Sequence, residues 1–134
     1  MKQHHTYSRG TLATMTGVNL ETIRFYEKLG LMPDPPRSKA GYRCYSQDHL
    51  KRLHFIKRSR ELGFSNKEVK GLLEMVDGHY NCNQIKAIAL DNIEHISKKI
   101  ADLAQMQAAL REMANACSGN ETPDCAIVEC LMDI

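Results

Sequence analysis

CNQIKAIALDNIEHISKKIADLAQMQAALREMANAC, from Cys82 to Cys117, contains neither Pro nor Gly. Apolar residues recur in it at Ile85, Ile88, Ile93, Ile96, Ile100, Leu103, Met106, Leu110 and Met113. From Ile93 onward the steps are mostly threes and fours, and Ile96, Leu103 and Leu110 fall one heptad apart. That spacing predicts one long helix with a single apolar seam. One further heptad from Leu110 reaches Cys117, which puts its thiol on the seam. Lys86, Asp91, Glu94, Lys98, Lys99, Asp102 and Arg111 fall on the other face. No second stretch of similar length exists in the chain to cover the seam, so the natural partner is the same helix from a second copy.

The two cysteines stand 35 positions apart (117 less 82). At about 1.5 Å of rise per residue, that is roughly 50 Å, too far for one helix to bring both thiols to one ion. If two such helices pair antiparallel, Cys82 of one copy comes beside Cys117 of the other. Such a homodimer has a composite thiol site at each end. Taken singly, each cysteine also suits a plain packing role, as a small apolar residue.

Charge divides the chain in the same place. Residues 1–75 carry 14 Lys/Arg against 7 Asp/Glu, a balance of +7, and residues 76–134 carry 4 against 9, a balance of −5. A basic front half is suited to a polyanion. No apolar run is long enough to span a membrane, and the first residues, Met-Lys-Gln-His-His, lack the apolar core of a signal peptide. A cytoplasmic protein is expected, where clustered Cys residues indicate metal or redox chemistry.

The basic half reads as a run of short helices. Residues 8–16 form the first, with Leu12, Ala13 and Met15 as its apolar points; Thr16-Gly17-Val18 is a tight turn; Asn19 caps a second helix, Leu20 to Leu29. Two helices joined through a Gly turn make a helix-turn-helix. Its second helix would present Thr22, Arg24, Phe25, Tyr26 and Lys28 to the major groove of double-stranded DNA. The Pro- and Gly-rich stretch from Asp34 to Tyr45 reads as a two-stranded wing laying Arg37, Lys39, Tyr42 and Arg43 along a phosphate backbone, with Cys44 as a filler. Ser46 caps a helix to about Leu62. Leu50, Leu53, Phe55 and Ile56 are expected inside it, and Lys51, Arg52, Lys57, Arg58 and Arg60 outside, with Arg52 among the DNA contacts. Ser65-Asn66-Lys67-Glu68 is a capping box opening the next helix, whose apolar face is Val69, Leu72, Leu73 and Met75.

After Cys117 a seven-residue loop, Ser118 to Asp124, leads to Cys125, and residues 126–132 are expected to form one or two helical turns. Thiolates on a loop suit a soft cation: Hg, Cd, Pb, Zn or Cu(I). The spacing is not that of a zinc finger, and no C-x-x-C motif is present. The predicted ligand set is Cys82 of one subunit with Cys117 and Cys125 of the other. Three thiolates suit Hg(II) or Pb(II); Cd(II) and Zn(II) usually take a fourth ligand, which Cys130, His79 or water would supply. His95 is read as a solvated residue. No nucleophile–base pair or phosphate-cradling Gly loop is found, so an enzyme is not expected.

Three segments carry a family resemblance. Val18 to Leu31 (VNLETIRFYEKLGL) resembles the recognition segment of MerR-type transcriptional regulators, as do Gly41 to Tyr45 (GYRCY) and Arg60 to Ser65 (RELGFS). Cys82, the long helix and the Cys117/Cys125 loop resemble the metal-sensing branch of that family. The resemblance implies a mainly α fold: a winged helix-turn-helix domain (1–75), a linker and dimerisation helix forming an antiparallel coiled coil (76–116), and a metal-binding loop with a short C-terminal helix (117–134). It implies a dimer on promoters whose elements are spaced too far apart. Binding of the effector metal distorts the DNA so that RNA polymerase engages and metal-resistance or efflux genes are activated. Copper-, silver- and gold-sensing members have Ser where this chain has Cys82, so a Cys there looks like the divalent branch, whereas the seven residues between Cys117 and Cys125 also occur in monovalent sensors. A thiol redox sensor using the same cysteines is the competing reading, and a Cu(I)-type monovalent sensor is another.

Overall fold

The computed structural model describes residues 6–117 and Val128. The described chain is mainly helical, with five helices: α1 (Arg9–Thr16), α2 (Leu20–Lys28), α3 (Gln47–Glu61), α4 (Asn66–Asp77) and α5 (Cys82–Ala116). It divides into two units, one ending at Tyr80 and the other beginning at Asn81. No helix among the described residues is long and apolar enough to cross a membrane. Cys125, Cys130, the loop 118–124 and the expected turns of 126–132 lie outside the described residues, Val128 excepted.

Each helix of the first unit starts where a side-chain oxygen meets an orphan backbone N–H. Ser8 accepts from Thr11 N, Asn19 from Thr22 N, Ser46 from His49 N and Ser65 from Glu68 N. The box at Ser65 closes as its sequence predicts, with Glu68 Oε1 accepting from Ser65 N at 3.1 Å. The box at Ser46 uses His49 instead, whose Nδ1 accepts from Ser46 N at 3.1 Å. Gly17 ends α1 with φ of 74°, where a side chain would be strained, and its N–H bonds Ala13 O at 2.9 Å.

One apolar core holds these helices together. Leu12 of α1, Ile23 of α2, Leu31 and Met32 after it, Tyr45, Leu53 and Ile56 of α3 and Val69 of α4 are all fully buried. The inner stripe of α3 is Leu50, Leu53 and Ile56, steps of three that carry Phe55 outward. Phe55, expected inside, is 41% exposed and lines a groove between α3 and α4 with Leu72, Met75 and Val76. Met15 also turns outward.

The wing is a hairpin too short to become a pair of strands. Ser38 N bonds Tyr42 O at 2.7 Å, Cys44 N bonds Pro36 O at 2.8 Å, and a single antiparallel bridge joins Arg37 to Arg43. Pro35 and Pro36 have no N–H to continue the ladder, and Gly41 turns the chain at φ 87°. The expected two-stranded wing is therefore one bridge long. A second bridge, Tyr7 to Tyr45, ties the base of the wing to the chain ahead of α1, with bonds of 2.7 and 2.8 Å.

In the second unit, α5 runs 35 residues from a capping box at Asn81 and Gln84 to its C-cap, Cys117. None of its residues is buried. Leu90, Ile93, Ile100, Leu103, Met106 and Leu110 are all exposed on it. A helix of this length gains little from propensity alone, and its stability normally comes from covering an apolar face.

Candidate functional site

The outward stripe of α2 follows from the inward one. Ile23 and Tyr26, three apart, are buried against the core, which turns Glu21, Arg24, Phe25 and Lys28 to solvent and leaves Thr22 half-buried. Phe25 is 49% exposed and suited to contact with a base edge or sugar. Arg24 and Lys28, one turn apart, share a cleft of about 570 Å³ with Arg43 of the wing. Arg9, Glu27 and Asp34 line the same cleft. Four cations from α1, α2 and the wing, with two carboxylates, thus line one concavity, and Arg24, Lys28 and Arg43 are the cations suited to phosphate oxygens.

The other wing residues are presented to solvent. Arg37, Lys39 and Arg43 are exposed, and Tyr42 is 74% exposed. Arg37 also steadies the turn, donating to Gly41 O at 3.1 Å. Cys44, half-buried, has its Sγ 3.6 Å from Tyr42 O.

Two of the expected DNA contacts are placed elsewhere. Tyr26 is only 8% exposed and belongs to the core, because the helix packs along the Ile23–Tyr26 stripe. Arg52 is drawn inward: its Nε donates to Leu31 O, and its two terminal nitrogens donate to the Asp77 carboxylate at 2.6 Å each. That fork holds Asp77's carboxyl below its ordinary range, through hydrogen bonding opposed by partial burial. Arg52 thus joins α3 to the end of α4 and is spent on structure.

Sequence spacing gave no sign of a second group of residues. Arg9, Glu27 and Tyr45 close a ring of hydrogen bonds beneath the cleft. Arg9 Nη2 donates to Glu27 Oε2 at 2.9 Å, Arg9 Nε to Tyr45 Oη at 2.9 Å, and Tyr45 Oη to Glu27 Oε1 at 2.5 Å. The Arg9 and Glu27 side chains are 12% and 9% exposed. Burial and the bond to Glu27 push the Tyr45 hydroxyl's pKa up. Burial works against the Arg9 cation, but its bonds to Tyr45 and Glu27 outweigh it and raise its pKa. Lys57, expected on the outside of α3, donates from its Nζ to Thr16 O at 2.7 Å and closes the end of α1.

The thiols lie at the two ends of α5. Cys82 is its first residue and is exposed; Cys117, the C-cap, is half-buried. Among the described residues no three ligand-type side chains gather at one point. His79 is exposed, in the first unit. His95 lies 3.7 Å from Asp91, one turn earlier on an exposed stretch of α5. The donors at either end of the helix are soft sulfur, the type that thiophilic cations prefer.

Comparison with known proteins bears on both halves of the chain. A family model described as MerR HTH family regulatory protein matches residues 7–76, and a second, described as MerR, DNA binding, matches residues 50–113. A mercuric resistance operon regulatory protein from Bacillus cereus is 45% identical over 125 residues, spanning 92% of this chain and 95% of that protein. Among solved structures, the dual function transcriptional regulator MerR from Bacillus megaterium MB1, in complex with mercury(II) ion, is 39% identical with a TM-score of 0.57, covering 94% of this chain and 99% of its own. HiNmlR, a regulator lacking the sensor domain and bound to promoter DNA, is 25% identical with a TM-score of 0.57, covering 84% and 94%.

Proposed function

The chain belongs to the MerR family of helix-turn-helix regulatory proteins, and on that premise we propose that it is a homodimeric promoter-binding activator switched by a soft divalent ion, Hg(II) before Cd(II), Pb(II) or Zn(II). It is a DNA-binding, metal-responsive transcription regulator and not an enzyme. The observation that carries the finer reading is the placing of Cys82 and Cys117 at opposite ends of a 35-residue helix whose apolar stripe is bare. Two such helices, antiparallel, cover each other's stripe and bring unlike thiols together at both ends. Cys82 of one subunit with Cys117 and Cys125 of the other would hold the ion, with Cys130 or His79 as candidate fourth ligands. The bound ion supplies a cross-link between subunits that favours one arrangement of the dimer over another. On the DNA side, Thr22, Arg24, Phe25 and Lys28 would enter the major groove, with Arg37, Lys39, Tyr42 and Arg43 along the backbone. RNA polymerase would engage the promoter as the dimer distorts it.

A Cu(I)-type sensor is the second reading, favoured by the seven residues between Cys117 and Cys125. The two readings part at Cys82. Transcription from a promoter bound by the purified protein is measured with RNA polymerase over a series of Hg(II), Cd(II), Pb(II), Zn(II) and Cu(I) concentrations. A divalent sensor responds to the divalent ions and loses that response in Cys82→Ser. A response to Cu(I) that survives Cys82→Ser selects the second reading. No response to any ion overturns both.

A further inference from the structure

The ring formed by Arg9, Glu27 and Tyr45 stands where the recognition helix, α1 and the wing meet. Glu27 belongs to α2, three residues after Arg24 and one before Lys28. Tyr45 is two residues beyond Arg43 of the wing, and its backbone is paired with Tyr7. Its ring is fully buried and meets His49 edge-on, with centroids 5.4 Å apart. Glu27 is one of two carboxylates in the cleft, with Asp34, and would repel DNA if left unpaired. Arg9 and the Tyr45 hydroxyl use both of its oxygens, so its charge is spent inside the protein.

The wing needs such an anchor. Its hairpin has a single bridge and two prolines, and little in its own ladder fixes its angle. Phosphate contacts set the register of a protein on the duplex, and they do so only if the groups that make them are held at a fixed spacing. A wing free to move would have to be ordered at each binding event, at an entropic cost to affinity.

We propose that Glu27, Arg9 and Tyr45 form a positioning strut that fixes the wing against the recognition helix, so that Arg43 and the α2 cations reach the DNA backbone in one register. Glu27 is the joint of the strut: its two oxygens hold the two partners separately. None of the three needs to touch a base. Their effect on DNA passes through Arg24, Lys28 and Arg43. The proposal rests on the DNA-binding reading of this face.

The test uses the full-length protein and two DNA probes. One is a duplex selected by the wild-type protein from a random-sequence pool; the other is an unselected random duplex. Tyr45→Phe keeps the ring and removes only the hydroxyl. Affinity for the selected duplex should fall about tenfold, because the wing must then be ordered on binding and one phosphate contact is lost. Affinity for the random duplex should fall by a similar factor, because a phosphate contact carries no sequence information. The plot of log affinity against log salt should become shallower by about one on both duplexes, as one phosphate contact drops out. A purely structural hydroxyl would lower both affinities by the same factor and leave the slope alone, and that result overturns the strut. Wild-type affinities and slope in the variant overturn it too. Should Tyr45→Phe fail to fold, Glu27→Gln is read against the same two outcomes. If the wild-type protein selects no duplex, the DNA-binding reading falls first and the strut with it.

Discussion

Arg52 holds Asp77 with two hydrogen bonds of 2.6 Å, one from each terminal nitrogen of its guanidinium. Its third nitrogen, Nε, donates to Leu31 O. One side chain on α3 therefore fastens the end of α4 and the segment that follows the recognition helix. Arg52 is 13% exposed and Asp77 51%, so solvent screens the carboxylate and the fork is worth less than its geometry suggests.

Arg52→Ala should cost about 1–2 kcal/mol at neutral pH. The sign of the pH dependence follows from Asp77, whose folded pKa lies below its ordinary value of 3.8. Its contribution is full above that ordinary value and disappears as pH falls through the folded one. Urea unfolding of wild type and variant should therefore converge in acid, leaving only the share that comes from Leu31 O. An equal gap at neutral pH and in acid would mean that Asp77 is not the partner that counts.

Gly17→Ala should destabilise the first unit by about 1–2 kcal/mol. Gly17 has φ of 74°, and a Cβ there would come 2.9 Å from Lys57 Nζ. That amine donates to Thr16 O at 2.7 Å, so the new methyl group displaces the residue that closes α1. Lys57→Met should remove part of the same stability, and the double variant should lose less than the sum of the two. Additive losses in thermal unfolding would separate the turn from the lysine.

What was legible in the sequence is what is local. Asn19, Ser46 and Ser65 stand before their helices because a cap acts over three residues, and the expected starts match the observed ones. The bare seam of α5 was legible because a heptad spacing repeats in plain view. Contacts between elements were not. Arg52 reaches Asp77 across 25 positions, and Glu27 reaches Arg9 and Tyr45 across 18. Nothing in residue type separates a cation for phosphate from one for a carboxylate. Tyr26 shows a related limit: a Tyr on this helix suits either face, and only the packing of α2 against the core decides which it takes. His49 stands where a capping box usually has Glu or Gln, so residue type alone does not mark that box.

Arg24→Ala should cost about 1–3 kcal/mol of discrimination if the guanidinium reads a base. Arg43→Ala should weaken selected and random duplexes alike and make the salt slope shallower by about one. The two residues share a cleft but belong to different elements, α2 and the wing. Binding isotherms at several salt concentrations separate the effects. Unchanged binding in both variants would remove the cleft from the DNA interface.

Ile96→Glu with Leu103→Glu should convert the proposed dimer into monomers that keep helical first units but lose specific binding to DNA. The two positions stand one heptad apart on α5; Leu103 is 65% exposed and Ile96 partly so. Burying such a stripe against a second copy is worth about 25 cal/mol per Å² of apolar surface, and two carboxylates in that contact reverse the gain. Sedimentation equilibrium reads the outcome directly. A dimer that survives both charges is held by some other surface.

The thiol site is tested by mixing chains. Cys82 opens α5 and Cys117 closes it, 35 residues later on a helix that rises about 1.5 Å per residue. One chain therefore cannot supply both thiols to one ion, whatever the partner does. A Cys82→Ser chain retains Cys117 and Cys125, and a Cys117→Ser chain retains Cys82. In their heterodimer one end of the antiparallel coil has all three thiols, and the other has Cys125 alone. Hg(II) titration followed by native mass spectrometry should show two tight sites in the wild-type dimer, none in either mutant homodimer and one in the heterodimer. Full affinity in either homodimer would remove the mutated cysteine from the ligand set. No recovery in the heterodimer, with both homodimers inactive, would mean that the thiols do not meet across the subunits, and the antiparallel pairing of α5 would fall with them.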